Sequence, residues 1–398
     1  MTSKQIADLV DNANSRIIDF AQRVLSAPSL SGHEETVAQL AIDEMQVLGY
    51  SSAWRDEIGN VIGRLRGSGG KTTMLHAHMD VVDPGDESQW SHPPFGAEIE
   101  DGFVYARGAS DTKGSLIAQI YAAGLLAQAG FVPEGDVYVA CVAGEETGGF
   151  GTRHLIETIE PTIDVAIIGE PSGNALRRGH RGRFEFVVTM HGRSAHASAP
   201  NRGLNPHYSM ARFLLAIRSE PMFYEPVFGG TTIAPTLGHV DQSSSNVIPA
   251  AATVHIDWRT APGETLAEAT ALITRVADRC CESGVTCSID LADVAAQSYT
   301  GQKVVVTHDV SGFCLDLDDP LLVAAQGILE LELERSMAPG VWGFCTDGGF
   351  LSAAGVPCIG FGPGEEHMAH VRDERLSLEQ LLEAVRAYAA LAMHMGAR

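Results

Sequence analysis

The sequence predicts an α/β protein: a layered sheet built of alternating strands and helices, interrupted by a smaller α+β insert. Three observations carry this. Short apolar strand patterns alternate with amphipathic helical ones over the first 180 residues. The texture changes near Arg181 to alternating half-buried strands in a β-α-β-β-α-β order, and from about Gln302 the α/β texture resumes. Finally, residues suited to chemistry, His78, Glu145, Glu146, Glu170 and His370, each follow an apolar strand, where open α/β sheets bind ligands.

Taken in order, Ser3–Leu25 and Glu34–Leu48 carry helical periodicity, the second opened by Ser31-Gly32-His33-Glu34 in the manner of an N-cap. Strands are expected at Asn60–Leu65, Thr72–Ala77, Val137–Ala143, Asp164–Ile168 and Val356–Phe361, with an amphipathic helix over Lys113–Ala129. In the insert, Arg183–Met190 alternates like a strand. Asn205-Pro206 then caps a helix whose Met210, Phe213, Leu214 and Ile217 form one stripe. Strands at Thr231–Val240 and Ala251–Trp258, a helix at Leu266–Arg279 and a strand at Val285–Leu291 complete an order that resembles a ferredoxin-like unit. The division expected is therefore 1–181, 182–297 and 298–398, the outer two forming one discontinuous domain.

At 398 residues, 45% hydrophobic and 19% charged, the chain has the composition of an ordinary globular protein. A net charge of −23 argues against nucleic acid as a partner, which needs a basic stripe. Small-molecule partners are expected instead. No run approaches the ~18 apolar residues of a membrane span, and the opening residues lack the apolar core of a signal peptide, so no membrane partner and a cytoplasmic location are expected. Seven cysteines without CxxC spacing fit reduced, apolar thiols better than disulfides or a zinc-thiolate site at Cys280, Cys281 and Cys287.

The chemistry is concentrated in short motifs. In His76-Ala77-His78-Met79-Asp80, alternate residues share one face, and the Asp80 carboxylate can hold one ring N–H of a metal-ligating His78. His76 reads as a packed strand residue. Asp111, in a Gly-flanked turn, has the two oxygens needed to bridge two metals, with His78 and Glu170 ending one site and Glu146 and His370 the other. That nitrogen and oxygen set suits Zn²⁺, and also Co²⁺ or Mn²⁺. Adjacent Glu145 and Glu146 point in different directions on extended backbone, so one ligates and the other, Glu145, is left as a general base.

These motifs, namely His78-Met79-Asp80, Gly108 to Gly114, Gly144-Glu145-Glu146, Gly169-Glu170-Pro171, Gly362-Pro363-Gly364 and Ala369 to Glu374, resemble in order and context the co-catalytic zinc metallohydrolases. That family includes acetylornithine deacetylase, succinyl-diaminopimelate desuccinylase and glutamate carboxypeptidase. The resemblance implies an α/β/α zinc-hydrolase domain and a lid domain that forms a homodimer. It implies that His196 reaches a partner's site to stabilise an oxyanion, that Asn246, Arg259 and Gly364 meet the substrate, Arg259 as a fork for a free carboxylate, and that Asp347 supports the site, a position that reads equally as a helix cap. Glu170, in place of Asp, leans towards the deacetylase and desuccinylase branch, with a metallo-carboxypeptidase or dipeptidase as the alternative. A binding protein on the same fold would lack a ligand or the base, and a nucleotide-binding protein would carry a GxGxxG or GxxxxGK[ST] loop; neither condition is met.

Overall fold

The computed structural model describes residues 1–160 and 162–396. A nine-stranded sheet forms its centre, in the order Ser52–Arg55, Val61–Leu65, Val137–Val142, Thr73–His78, Val165–Ile168, Cys358–Gly360, Arg177–His180 and Phe313–Cys314, with Gly340–Trp342 branching from Arg177–His180. The four strands 137–142, 73–78, 165–168 and 358–360 are mutually parallel, so their carboxyl ends share one edge. Side chains along them alternate between two cores. Leu75, Val139, Cys141, Ile167 and Ile359 face the helices Ser3–Leu25, Glu35–Val47, Gly114–Gln128 and Leu378–His394. Met74, Tyr138, Ala140, Ala166 and Cys358 face a smaller core with Leu155 and Leu351, from the helices Phe150–Thr158 and Gly348–Ala353. Strands buried on both faces need the continuous apolar runs that the sequence shows, and the predicted strands fall within two residues of the observed ones.

The insert is an antiparallel sheet in the order Thr232–Val240, Ala251–Arg259, Arg183–His191 and Thr286–Leu291, with the short strand Asp309–Val310 also paired to Arg183–His191. Phe184, Phe186, Val188, Ile256 and Trp258 on one face pack against Phe213, Ile273 and Val276 of two helices. The opposite face, carrying Arg183, Glu185, Asp257 and Arg259, is polar.

The expected seam at 297/298 lies at the turn of the hairpin Asp293–Gln297/Lys303–Thr307, whose Val306 belongs to the main core and whose Tyr299 hydroxyl donates to the Gly59 carbonyl. The chain then crosses back to the insert sheet at 309–310 before rejoining the large sheet at 313–314. Local periodicity shows a strand but not which body it rests on. Among the described residues no helix is long and apolar enough to cross a membrane.

Candidate active site and metal centre

The parallel strands deliver their carboxyl ends to one place. His78, the last residue of its strand, is buried, and its Nδ1 donates to the Asp80 main-chain carbonyl at 2.9 Å. That leaves Nε2 facing the cluster, 3.1 Å from Asp111 Oδ1 and 3.7 Å from Glu170 Oε1. His370, at φ +61° in the loop after Cys358–Gly360, brings its Nε2 to 3.2 Å from Asp111 Oδ2 and 3.0 Å from Glu146 Oε1. Asp111 thus offers one oxygen to each histidine. One ligand atom from each of His78, Asp111 and Glu146 lies within 4.8 Å of the other two.

Asp80 differs from expectation. Its carboxylate is 3.5 Å from His78 Nδ1, farther than its own carbonyl, and is instead filled by the amides of Glu145 and Glu146, each at 3.1 Å, and by the Ser31 hydroxyl at 2.6 Å. The turn entered through Gly144, at φ +68°, aims those amides at it. Asp80 therefore orients the histidine through its backbone and the Glu-Glu pair through its side chain.

The segment read as a helix cap also serves this turn. Glu34 makes no cap: its buried side chain accepts from the Gly144 amide at 3.1 Å, while Ser31 reaches Asp80. A Ser-x-x-Glu pattern before a helix is indistinguishable in sequence from a capping box. Burial and the nearby Asp80 charge push Glu34 up to about 7. On the far side, Glu374 accepts from the amides of Ser110 and Asp111 at 2.9 and 3.0 Å and from Arg107 Nη1 at 2.6 Å, which fixes the turn that carries Asp111.

Electrostatically the centre is a crowd of buried carboxylates. Burial pushes Glu145 and Glu170 well above the usual carboxylate range; His78 opposes this, and neighbouring acids reinforce it. Burial also acts upward on Asp111, but hydrogen bonds with His370 and His78 outweigh it and hold the group well below its ordinary value. Hydrogen bonds to Asp111 and Glu146 raise His370 to about 10. The Glu145 carboxylate accepts no hydrogen bond from any described residue. Asp347, expected as a support or a cap, makes no side-chain cap; it accepts from the Thr152 hydroxyl at 2.5 Å, and His76 Nε2 lies 2.7 Å from that same hydroxyl. Burial raises Asp347 to about 6 and lowers His76 to about 3.

Beside the cluster lies a cavity of about 360 Å³, lined by Asp111, Glu145, Glu146, Glu170 and His370, by Arg183 and Arg259 of the insert sheet and by His308 where the chain crosses to it. Arg259 therefore joins the site within one chain. His196, Asn246 and Gly364 do not line this cavity. His196 and Asn246 are exposed and lie side by side, the Ala197 amide donating to the Asn246 carbonyl at 2.9 Å. Gly364, at φ +89°, packs so close to Ser110 that a Cβ would sit 2.8 Å from its Cα, so its place is in the wall behind the Asp111 turn. Ser31 and Glu34 read in sequence only as a helix start, and Arg183, Thr152 and Asp257 carry no signal there for the site. Strand register brings Arg183 and Asp257 together, while Ser31, Glu34 and Thr152 arrive from a turn and two helix starts.

The fold recurs in solved structures. The aminopeptidase PepT of Bacillus cereus superposes with a TM-score of 0.76 at 18% identity, covering 97% of this chain and 99% of that one. The YXEP protein of Bacillus subtilis, described as a dinuclear metal-binding peptidase, superposes with a TM-score of 0.73 at 16% identity, over 96% and 98%. In sequence, the succinyl-diaminopimelate desuccinylase of Paracoccus denitrificans is 28% identical over 384 residues, 92% of this chain and 94% of that protein. Residues 74–394, from the strand that ends in His78 to the end of the last helix, match the model of peptidase family M20/M25/M40, and the chain therefore belongs to that family as a hydrolase of amide or peptide bonds.

Proposed function

We propose that the chain is a two-metal amidohydrolase that removes the acyl group from an N-acyl amino acid carrying a free carboxylate. The observation that supports this most is the convergence, around one cavity, of four proposed ligands on its lining with His78 just beneath them, a Glu145 carboxylate without a hydrogen-bond donor among the described residues, and the Arg259 guanidinium.

The donor set fits two divalent ions. Asp111 presents a separate oxygen to each histidine, as a bridge must, and buried carboxylates raised by their surroundings are relieved by cations. His78 and Glu170 would complete one site and Glu146 and His370 the other, with Zn²⁺ proposed and Co²⁺ or Mn²⁺ accepted by the same donors. Bound there, such ions polarise a carbonyl and acidify water. The protein's own groups do the rest. Glu145, held at its backbone by Asp80, takes the proton from the attacking water and returns it to the leaving amine. Arg259 grips the carboxylate.

His196 is proposed to act in the partner subunit's site, within a homodimer. Its Nδ1 accepts from the Ser198 amide and lies 2.8 Å from the Ser198 hydroxyl, so Nε2 carries the proton and points away as a donor for an oxyanion. His196→Ala should lower kcat far more than it raises KM. Co-assembled with Glu145→Ala subunits, it should regain about half the wild-type activity per dimer, because both lesions meet in one site and leave the other intact. Demonstrated subunit exchange with no recovery would overturn the shared-site reading.

Peptide cleavage is the second reading, favoured by Asp347, a cavity-lining carboxylate outside the ligand set that suits a substrate ammonium. Metal-loaded enzyme should be screened against N-acetyl, N-succinyl and N-formyl amino acids and against dipeptides. Turnover of one N-acyl class is expected; cleavage of dipeptides alone would transfer the assignment to a peptidase, and hydrolysis of none would sink both.

A further inference from the structure

The polar face of the insert sheet carries a continuous array that ends at the cavity. Alternate residues on extended backbone share a face, and the register of Asp257 opposite Glu185 lays Arg183 and Glu185 beside His255, Asp257 and Arg259. Asp257 stands between the two arginines: its Oδ1 accepts from Arg259 Nε at 2.7 Å and its Oδ2 from Arg183 Nε at 2.8 Å, with Arg259 Nη2 at 3.3 Å from Oδ2. Arg183 also donates Nη2 to Glu185 Oε2 at 3.0 Å, and Glu185 is held in turn by His255 at 2.9 Å and His308 at 2.9 Å.

The donor accounting separates the two arginines. Arg183 lies between two carboxylates and spends its Nε and one Nη on them, so it is poorly placed to receive a third. Arg259 shares only Asp257, which takes the Nε–Nη2 edge of the guanidinium and leaves the Nη1–Nη2 edge without a protein acceptor among the described residues, on a side chain that lines the cavity. That end-on edge can bind a second carboxylate through two parallel hydrogen bonds. An arginine free to rotate would lose side-chain entropy on binding, whereas one clamped along its side has already lost it.

We propose that Asp257 and Arg183 are positioning residues that aim Arg259 at the substrate carboxylate, so that the enzyme's preference for a free carboxylate is set by this array on the insert. The inference rests on the proposed role of Arg259 and adds to it the residues that make the fork rigid.

The test compares the N-acyl amino acid turned over fastest in the screen with its carboxamide, which keeps the scissile bond and removes the charge. Wild-type enzyme should favour the carboxylate, and Arg259→Ala should abolish the preference. Asp257→Asn should cost the carboxylate substrate roughly 10-fold in kcat/KM, chiefly through KM, the scale of one charge-assisted hydrogen bond; the carboxamide should change by less than about 2-fold, since a neutral amide forms no ion pair with Arg259 and gains little from its aim. Asp257→Glu should restore part of the preference. If Asp257→Asn does not fold, Arg183→Gln carries the same expectation from the other end of the clamp. Equal losses on both substrates, or none on either, would overturn the positioning role while Arg259 stands. A wild-type preference that survives Arg259→Ala would overturn the Arg259 reading itself.

Discussion

Glu145→Gln is expected to leave metal content near normal while turnover falls by ~10²–10⁴, the usual contribution of a positioned general base. The substitution keeps shape and removes only the ability to take a proton. Two features make the separation clean. The Glu145 carboxylate accepts no hydrogen bond from any described residue, whereas Glu146 Oε1 lies 3.0 Å from His370 Nε2, on the ligand cluster. The amides of both residues are tied to Asp80, so the turn survives a change at either side chain. Metal analysis and steady-state kinetics on the same preparation decide the matter. If Glu145→Gln loses metal and activity together, the roles of the two glutamates have been exchanged.

Asp111→Asn should empty both metal positions. An amide replaces one anionic oxygen by an NH₂ that cannot ligate, and among the described residues Asp111 is the one whose two oxygens approach both His78 and His370. Affinity at each position is expected to fall by more than ~100-fold, since even indirect partners of metal ligands act on the 10–100-fold scale. The backbone at 110–111 should hold, because its amides are bound by Glu374, which is unchanged. Calorimetric titration with Zn²⁺ would show this as two weakened sites. One weakened site beside one of wild-type affinity would make Asp111 a terminal ligand and not a bridge.

How much of this was legible in the chain depended on what each residue's neighbours in sequence could reveal. His78, Glu145, Glu146 and Glu170 follow apolar strands directly, so the strand pattern located them before any contact was known. Asp80 was legible as a partner of His78 but not for the way it serves, since two-residue spacing does not distinguish a carboxylate from a carbonyl as acceptor. Ser31 and Glu34 were misread because a helix start and a buried anchor use the same letters. Asp257 and Arg183 lie more than seventy positions apart and meet only through cross-strand register, which hydrophobic alternation fixes by face and not by partner. The 293–307 hairpin is opaque in sequence for a related reason: it has the alternation of any strand pair, and only packing shows that its Val306 joins the main core.

The central claim is that catalysis requires metal held between the strand ends, and chelated wild-type protein tests it most directly. Metal removed to below a few hundredths of an equivalent, verified by elemental analysis, should leave no hydrolysis of the N-acyl amino acid identified in the screen. Adding Zn²⁺ back should restore turnover as up to two ions bind per chain, the number of sites that Asp111 can bridge. Full activity in protein shown to be metal-free would contradict the account.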